Sequence, residues 1–469
     1  MTGGELKDLL DVALSHLAPF LDSLPDHPAS NLANSAEIAA SVVQPLPAAG
    51  QPAETVLAEL FDRWVPPGLN AAGPGYLCYV PGGGLPHAAV ADLISGIINR
   101  YIGVWYAAPA LAQLEATVVR WFCDLVGYPE QSGGFLTSGG SLASWSAIVL
   151  ARHVVLGDNF QRGVLYTSDQ AHHCVVRAAV LAGFPRGNVR EVESDDQFRV
   201  KIDRLERQIE QDCREGWRPL AIVANAGTTN TGAIDDLDAL ADMATRYDMW
   251  LHVDAAYGGF FLLTERGQNL MRGIQRADSL ALDPHKSLFL PFGTGCLLAR
   301  DCEHLKSLHA MRGDYLRATP GGPESVDFCD ISPELTRPFR GLRVWLPLKM
   351  HGSEPFQRYL DEKLDLTQWV TAQLRALQTE RGDRIEVMAE PQLTVAAFRL
   401  LRPNLSNEQL DVLNQNLLER INAGRRVFLS ATVLDGRFVI RICVLSLRTH
   451  LDRMEECLAE IQRAMDELP

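Results

Sequence analysis

A lysine interrupts an apolar stretch near the middle of the chain. The segment "SLALDPHKSLFLPFGTG" covers residues 279–295 and places Lys286 between two runs of apolar residues. Burial in an apolar setting disfavours the charged form of a lysine, which lowers its pKa and makes the amine a nucleophile toward an aldehyde. We therefore predict that Lys286 is a reactive amine in a site with little water.

Polar residues at the ends of predicted strands are the other candidates for chemistry. Asp254 closes a buried strand in "HVDAAYGG", where an unpaired carboxylate is costly. Ser-Gly-Gly-Ser at 138–141 opens a helix, whose first N–H groups and dipole favour an anion such as phosphate. His172 and Thr228 each follow a predicted strand. All of these residues also have a structural explanation, as helix caps, an internal ion pair or turn residues.

Taken together, these residues describe one type of site. A phosphorylated pyridine aldehyde would use all four features, namely the phosphate site, the acid at a strand end, the group for flat stacking and the lysine in an apolar setting. The acid would keep the ring nitrogen protonated, so that the ring could accept electrons. The Ser-Gly-Gly-Ser turn fits neither GxGxxG nor GxxxxGK[ST], which argues against a dinucleotide site and a P-loop.

The hydrophobic pattern divides the chain into three predicted regions. Residues 1–80 contain helices broken by Pro- and Gly-rich segments and have too little pattern for a free-standing domain. Residues 81–345 alternate strands and helices, with a strand–helix–strand unit at 220–257, which predicts a large α/β domain with a mostly parallel sheet. Residues 346–469 include a hairpin at 426–445 and predict a small α+β domain.

Composition limits the classes of partner. The chain has 469 residues and a net charge of −15, which argues against nucleic acid or an acidic membrane surface as partner. Its nine cysteines form no CxxC pair, so reduced thiols fit better than a disulfide framework, and we predict no metal site. The N-terminal stretch "MTGGELKDLLDVALSHL" predicts an acidic amphipathic helix and not a signal peptide, and no apolar run is long enough for a membrane span. We expect a cytoplasmic protein.

The motifs TSGGS, SDQAH, GTT, HVDAAYGG and DPHK follow one another in the order of a known family. With them the chain resembles the group II pyridoxal-phosphate-dependent amino-acid decarboxylases, close to the aromatic-L-amino-acid decarboxylases, from about residue 55 to the C-terminus. Lys286 follows Asp254 by 32 residues, a spacing that also fits. The resemblance implies the α/β PLP-dependent transferase fold (aspartate aminotransferase superfamily, fold type I) and pyridoxal 5'-phosphate as cofactor. It also implies a homodimer with the active site at the subunit interface and the N-terminal segment packed across it.

The resemblance also assigns roles to the candidate residues. Lys286 would form the internal Schiff base, and Asp254 would pair with the pyridinium nitrogen. His172 would stack on the ring and help to place the substrate carboxylate. The other implied cofactor contacts are Ala256 against the opposite face of the ring, Thr228 near the ring oxygen, His285 at the phosphate or cofactor surround, and Gly140 and Ser141 at the phosphate.

Aromatic residues near the start of the predicted large domain suggest the substrate class. The segment 76–93 resembles the substrate side of the family, with Tyr79 and Pro81 at matching positions. Tyr101 and Trp105 extend this aromatic set. We therefore expect an aromatic or bulky apolar amino acid. The alternative is that these rings belong to the core, and nearby glycines leave the size of the substrate side chain open.

One position departs from the family pattern. Family decarboxylases carry a tyrosine on a mobile loop before an Arg-x-Phe-Arg segment, which here is "RPFR" at 337–340, and counting back along the chain places Phe328 at the tyrosine position. A tyrosine hydroxyl can return a proton to the substrate carbon after CO2 leaves, whereas a phenyl ring cannot. Decarboxylation to the amine is the main prediction. The alternative, suggested by related aldehyde synthases, is an aldehyde with ammonia and H2O2, unless the loop alignment is shifted or Tyr315 supplies the proton.

Other classes fit the sequence less well. An aminotransferase would need a substrate-binding arginine such as Arg441, but the Pro-His-Lys context points away from it. A cysteine desulfurase would need a loop cysteine, and the residues around Cys329 do not suit one. A non-catalytic binding protein would be expected to have lost Lys286 or Asp254, and both are present.

Overall fold

The computed structural model describes residues 1–310, 325–380 and 382–468. The chain divides into two compact units, which we call the small unit (Met1–Gly83, Trp369–Val387 and Phe398–Pro469) and the large unit (Gly84–Gln368 and Met388–Ala397). The first of these divisions lies close to the predicted boundary after residue 80. At the second predicted boundary, after residue 345, the structure instead keeps 346–368 with the large unit.

The small unit begins with helices and two short strands. In chain order these are α1 (Gly3–Ser23), β1 (Ser30–Asn31), α2 (Ser35–Ser41), α3 (Ala53–Glu59) and β2 (Gly68–Leu69). A capping box formed by Thr2 and Glu5 starts α1, so the predicted N-terminal helix is confirmed. None of the residues of α1 is buried within the described chain. Leu9, Leu14, Leu17 and Leu21 of this helix are exposed in a single copy of the protein.

A mostly parallel sheet forms the centre of the large unit. Its strands are β3 (Gly133–Thr137), β4 (Gly163–Ser168), β5 (Val189–Val192), β6 (Arg218–Asn225), β7 (Trp250–Asp254), β8 (Ser279–Leu282) and β9 (Gly295–Ala299). Among the described residues they lie in the order β3-β9-β8-β7-β6-β4-β5. All neighbouring pairs from β8 to β5 are parallel, whereas β9 runs antiparallel to both β3 and β8. The predicted mostly parallel sheet is confirmed.

Helices pack on this sheet. The helices of the large unit are α4 (Pro86–Ile98), α5 (Pro109–Val126), α6 (Gly140–Ala151), α7 (Cys174–Leu181), α8 (Ile202–Arg214), α9 (Leu237–Arg246), α10 (Glu265–Leu270), α11 (Cys302–His309) and α12 (Gly341–His351), and α13 (Glu354–Ala376) begins in this unit and ends in the small unit. α6 contacts β7, β8 and β9, and α8 and α9 contact β6. The uninterrupted apolar run of β6 follows from this arrangement, because a parallel strand covered on both faces has no side that favours polar residues.

The remainder of the small unit is an α+β arrangement. Its elements are β10 (Arg384–Val387), β11 (Val395–Leu401), α14 (Asn407–Ala423), β12 (Ser430–Leu434), β13 (Arg437–Cys443) and α15 (Leu451–Asp466). In the described chain the strands lie in the order β10-β11-β13-β12. β12 and β13 form the predicted hairpin, in which Asp435 and Gly436 both have positive φ, as a two-residue turn of this type requires.

The N-terminal segment packs on this C-terminal part of the small unit. The Leu77 N–H donates to the carbonyl of Phe428 at 3.1 Å, and the Cys443 N–H donates to the carbonyl of Leu77 at 2.9 Å. The Arg453 guanidinium donates to the carbonyl of Pro25 at 2.8 Å. Residues after α1 are thus held by backbone contacts and do not form a domain of their own. No helix in the described ranges is long and apolar enough to cross a bilayer.

Candidate active site

A cavity of about 340 Å³ lies in the large unit, at the carboxyl ends of β6, β7 and β8 and at the start of α6. Ligands of open α/β sheets bind at this edge of the strands. The predicted site residues that line the cavity are Gly140, Ser141, His172, Thr228, Asp254, Ala256, His285 and Lys286. The structure therefore brings together residues that are up to 146 positions apart in the sequence.

Lys286 forms an ion pair with a buried carboxylate in this cavity. Its Nζ lies 3.0 Å from Oδ2 of Asp283, and 26% of the lysine side chain is exposed. Burial lowers the pKa of Lys286, but the carboxylates of Asp283 and Asp254 outweigh this effect and the pKa lies above its usual value. The prediction of a lowered pKa is therefore wrong for the cofactor-free chain, because the sequence argument counted desolvation and omitted the neighbouring charges.

Asp254 is the last residue of β7 and places a carboxylate at the edge of the sheet. The Ala256 N–H donates to its Oδ1 at 3.1 Å, which orients the carboxylate. In the parallel pairing of β6 and β7, Asp254 lies beside Asn225, and both residues line the cavity. An anionic oxygen is thus available for a cationic ring nitrogen.

His172 lies in the turn before α7 and presents a neutral ring. Its Nδ1 accepts the N–H of Cys174 at 3.3 Å, so in the neutral ring the proton is on Nε2. Burial lowers the pKa of His172, against the opposing effect of the Asp254 carboxylate. The ring also stands 4.1 Å from that of His173, measured between centroids. A neutral, flat ring at this position can stack on a ligand and donate one hydrogen bond.

The start of α6 forms a narrow seat for an anion. Within the described residues no side chain caps this helix, so its first backbone N–H groups can bind a ligand. A Cβ at Gly140 would lie 3.0 Å from Cβ of Ala256 and 3.0 Å from Oδ2 of Asp283. Behind the turn, a Cβ at Gly295 would lie 2.5 Å from Cα of Gly139. Glycine at both positions is therefore needed to keep the seat open and the turn in place.

Thr228 and His285 have partners that fix their side chains. The hydroxyl of Thr228 lies 2.9 Å from that of Thr231 and accepts the N–H of Ala233 at 3.0 Å. His285 Nδ1 lies 2.6 Å from the carbonyl oxygen of Thr294 and donates to it. Its Nε2 is 3.8 Å from Oδ2 of Asp283. Both side chains are therefore preorganised at the cavity wall.

Several residues of the cavity are not among the predicted site residues. Asp283, Asn225 and Cys174 all line it. Asn225 ends β6 as Asp254 ends β7, so the same rule about strand ends would have found it. Asp283 stands three residues before Lys286, a spacing at which one turn of chain can pair the two charges.

The predicted substrate residues are not among those that line this cavity. Tyr101 and Trp105 belong to the large unit, where the Tyr101 hydroxyl donates to the carbonyl of Leu335 at 2.9 Å. The backbone N–H of Trp105 donates to Oδ1 of Asp327 at 2.7 Å. Tyr79 and Pro81 belong to the small unit. Tyr79 is 60% exposed with a φ of 52°, an uncommon backbone conformation for a residue other than glycine.

Phe328 does not occupy the position that the aldehyde hypothesis requires. It lies in the 3₁₀ turn Phe328–Asp330 and is fully buried in the core of the large unit. The guanidinium of Arg337 covers its ring at 4.4 Å. This burial contradicts the prediction that Phe328 takes the position of the family's loop tyrosine, and it agrees with the alternative of a shifted loop alignment. Tyr315, the other candidate proton donor, lies outside the described residues.

Comparisons with known proteins agree with this geometry. Residues 47–401 match the family model described as "Pyridoxal-dependent decarboxylase conserved domain". The aromatic-L-amino-acid decarboxylase of Bacillus atrophaeus is 31% identical over 470 residues, which cover 100% of this chain and 97% of the relative. Tryptophan decarboxylase 1 of Oryza sativa subsp. japonica is 28% identical over 424 residues, which cover 85% of this chain and 81% of the relative.

Solved structures share the fold over the whole chain. The crystal structure of Oryza sativa TDC with PLP and tryptamine has a TM-score of 0.94 at 24% identity and covers 100% of this chain and 99% of that chain. That of Rhodiola rosea 4-hydroxyphenylacetaldehyde synthase has a TM-score of 0.91 at 22% identity, with 100% of both chains covered. The fold is thus the α/β fold of the type I PLP-dependent enzymes, as the motifs predicted. The chain belongs to the pyridoxal-dependent decarboxylase family and is a PLP-dependent carboxy-lyase.

The cavity itself is suited to pyridoxal 5'-phosphate. Gly140 leaves room for a phosphate at the start of α6. Asp254 offers an anion for the pyridinium, and Lys286 offers an amine for the aldehyde. Asp283 Oδ1 is buried and has no hydrogen-bond donor among the described residues. Such an oxygen indicates a site that is completed by a ligand.

Proposed function

We propose that the chain decarboxylates an aromatic L-amino acid to its amine and CO2. The observation that carries this proposal is the convergence of Lys286, Asp254 and the start of α6 on one cavity. Relatives named aromatic-L-amino-acid decarboxylase and tryptophan decarboxylase support an aromatic substrate. The family itself is established by the comparisons, and the substrate is our inference.

Each predicted residue of the cavity has a proposed role toward the cofactor. Bound pyridoxal 5'-phosphate would supply an electron sink for the pair of electrons that CO2 leaves behind. Lys286 would attach the cofactor through Nζ, and Asp254 would hold the proton on the ring nitrogen. The remaining proposed contacts are Gly140 and Ser141 to the phosphate, Thr228 to the ring oxygen, His285 to the phosphate surround, and Ala256 and His172 to the two faces of the ring.

His172 would also place the substrate. Its Nε2 carries the proton because Nδ1 accepts the N–H of Cys174. A neutral imidazole can donate a hydrogen bond to the substrate carboxylate. Because the ring carries no positive charge, it does not form an ion pair that would keep the carboxylate from leaving as CO2. We propose that this residue orients the bond that breaks.

Replacing the lysine tests the core of the proposal. Lys286→Ala should lose turnover with every amino acid and should lose the visible absorbance that borohydride bleaches in the parent protein. Its thermal unfolding midpoint without cofactor should fall, because the buried carboxylate of Asp283 loses its partner, so a folded variant is verified by circular dichroism before turnover is compared. Retained turnover in this variant would exclude Lys286 as the attachment point.

The product is proposed to be the amine and not the aldehyde. The aldehyde alternative depended on Phe328, which is buried beneath Arg337 and does not line the cavity. Tyr315 belongs to the segment that precedes the "RPFR" motif and carries the hydroxyl that Phe328 lacks. We infer that Tyr315 returns the proton to the substrate carbon.

A matched pair of variants distinguishes the proposed role of Tyr315 from that of Phe328. Each protein is given a panel of L-amino acids with and without oxygen, and amine, aldehyde, ammonia and peroxide are measured. Tyr315→Phe should shift the product toward aldehyde and peroxide, with O2 as the oxidant. Phe328→Tyr should leave the product unchanged and lower the stability by about 1–3 kcal/mol, because it buries a hydroxyl. Aldehyde from the parent protein, reduced in Phe328→Tyr, would overturn the assignment.

We further propose that the active enzyme is a homodimer whose site is completed at the interface. In a single copy, α4 exposes Val90, Leu93, Ile94, Ile97 and Ile98, and α1 exposes Leu9, Leu14, Leu17 and Leu21. Contiguous apolar faces of this kind mark protein interfaces. The N-terminal segment would pack across the partner.

The substrate residues would then be assembled in the dimer. Tyr79, Pro81, Tyr101 and Trp105 remain the proposed aromatic lining. A cytoplasmic location is proposed as well, supported by the nine cysteines, an odd number that contains no CxxC pair.

A further inference from the structure

A buried carboxylate beside Lys286 has no role in the reaction described above. Asp283 is 2% exposed and lines the cavity. Its Oδ2 is 3.0 Å from Nζ of Lys286. Its Oδ1 is also buried, and no hydrogen-bond donor reaches it among the described residues. A half-satisfied buried carboxylate destabilises a fold, so its presence at the site requires a functional explanation.

Asp283 also stands at the phosphate seat. A Cβ added at Gly140 would lie 3.0 Å from Oδ2 of Asp283, so the carboxylate adjoins the first turn of α6. A carboxylate and a phosphate dianion so close together would repel each other strongly. The ammonium of Lys286 neutralises this charge only until the lysine is used for the cofactor. Occupation of the site therefore requires a change in the charge of this pair.

The other titratable groups around the lysine do not supply this change. Asp254 approaches from the end of β7, His172 and Cys174 from the start of α7, and His285 from the same loop as the lysine. Burial lowers the pKa of His172 and raises the pKa of Cys174 to about 12, so both are neutral near neutral pH. Asp283 is the group that the structure shows in contact with Nζ.

We propose that Asp283 is a positioning residue for cofactor capture, which holds Lys286 as an ammonium ion in the cofactor-free enzyme and takes up its proton when the cofactor binds. The proposal deepens the proposed function and depends on the attachment of the cofactor at Lys286. Transfer of one proton from Nζ to Oδ2 leaves a neutral amine and a neutral carboxylic acid. The amine nitrogen then forms a C=N bond to the aldehyde carbon, and the aldehyde oxygen leaves as water with the two remaining amine hydrogens.

This transfer explains both features of Asp283. The ion pair keeps the lysine in the cavity while the site has no cofactor. The neutral acid formed afterwards no longer repels the phosphate and can donate a hydrogen bond to it. Replacement of Asp283 should therefore change how the rate of capture depends on pH.

The experiment measures cofactor capture and not turnover. Cofactor-free protein is mixed with pyridoxal 5'-phosphate, and the visible absorbance of the covalent adduct is followed in time between about pH 6 and about pH 10. The parent protein, Asp283→Asn and Asp283→Ala are compared, with Lys286→Ala as the blank. The same series is repeated with pyridoxal, which lacks the phosphate.

The capture rate of the parent should change little with pH over this range, because Asp283 accepts the proton of Lys286 within the pair. In Asp283→Asn the amide cannot accept this proton, so capture near neutral pH should be at least about tenfold slower than in the parent and should rise with pH as Lys286 loses its proton to the solvent. The same change should be present with pyridoxal, since it originates in the lysine. Asp283→Ala should behave like Asp283→Asn, since it also removes the proton acceptor.

Capture near neutral pH that is as fast in both variants as in the parent would overturn the proposal. A difference seen with pyridoxal 5'-phosphate but not with pyridoxal would also overturn it, since Asp283 would then act on the phosphate alone. Absence of any adduct in the parent would instead refute the proposed function. Thermal unfolding of each cofactor-free variant verifies that the proteins compared are folded.

Discussion

A buried ion pair beneath β3 should be the most sensitive point of the large unit. Glu115 of α5 and Arg337 have fully buried side chains, and Oε1 of the glutamate lies 2.7 Å from Nη1 of the arginine. Arg337 also donates to the carbonyl of Leu136 at 2.8 Å, and Glu115 accepts the N–H of Gly341 at 2.7 Å. Leu136 lies two residues before the turn that forms the phosphate seat. The pair thus supports both the core and the cofactor site.

Arg337→Met removes one partner and leaves the other buried. Burial raises the pKa of Glu115 even with the arginine present, and the loss of Arg337 removes the largest opposing effect. Breaking one side of a buried pair costs about 3–5 kcal/mol. The Leu136 carbonyl also loses its bond from Arg337 and keeps the longer one from Arg340 at 3.3 Å. We expect a loss of about 3–5 kcal/mol in unfolding free energy for Arg337→Met, together with weaker cofactor retention.

The double variant Glu115→Gln/Arg337→Met is the matched control. It removes both charges, so no unpaired ion is left in the core, and it should recover at least half of the loss. Urea unfolding of the cofactor-free proteins gives the free energies, and dialysis followed by absorbance gives cofactor retention. A single variant that loses less than about 1 kcal/mol would refute the reasoning, since a fully buried unpaired charge cannot cost so little. A double variant as unstable as the single one would also refute it.

Three further outcomes can be measured. Burial lowers the pKa of His252 to about 4, so the fold holds this side chain neutral and loses stability as the pH falls below the unfolded-state pKa. Between about pH 7 and about pH 5 the unfolding free energy should therefore fall by about 2 kcal/mol more in the parent than in His252→Gln. Gly140→Ala should weaken pyridoxal 5'-phosphate binding in an equilibrium titration, because its Cβ enters the seat, whereas Gly187→Ala, which meets nothing within 4 Å, should not. Ile97→Lys on α4 should shift the protein toward monomer in sedimentation, whereas Val412→Lys, exposed to a similar degree on α14, should not.

The core of the site could be predicted because of how parallel strands are arranged. Asp254 and Thr228 follow neighbouring strands, and the carboxyl ends of parallel strands meet at one edge of the sheet. Lys286 follows β8, which pairs with β7, so it arrives at the same edge. The position of each of these residues could therefore be predicted once the sequence showed where a buried strand ends.

Phe328 was misplaced for a physical reason. Counting residues locates a side chain only where the chain follows a regular element, and the position lies in a connection between α11 and α12. Its burial depends on Arg337, which covers the ring, and on the Glu115 carboxylate that keeps the arginine in the core. The ion pair between Glu115 and Arg337 joins residues 222 positions apart, so no local sequence pattern could have indicated it.

The pKa of Lys286 could not be predicted from burial alone, because it also depends on nearby charges. An apolar stretch around Lys286 predicted a neutral amine, but the same sheet edge that collects the site also collects acids, here Asp254 and Asp283. Their attraction for the ammonium outweighs desolvation and raises the pKa of the lysine. The amine therefore becomes a nucleophile only after its proton has moved, and the nearest acceptor is the carboxylate that holds it. Asp283, three residues before Lys286, is therefore part of the reactive group together with the lysine.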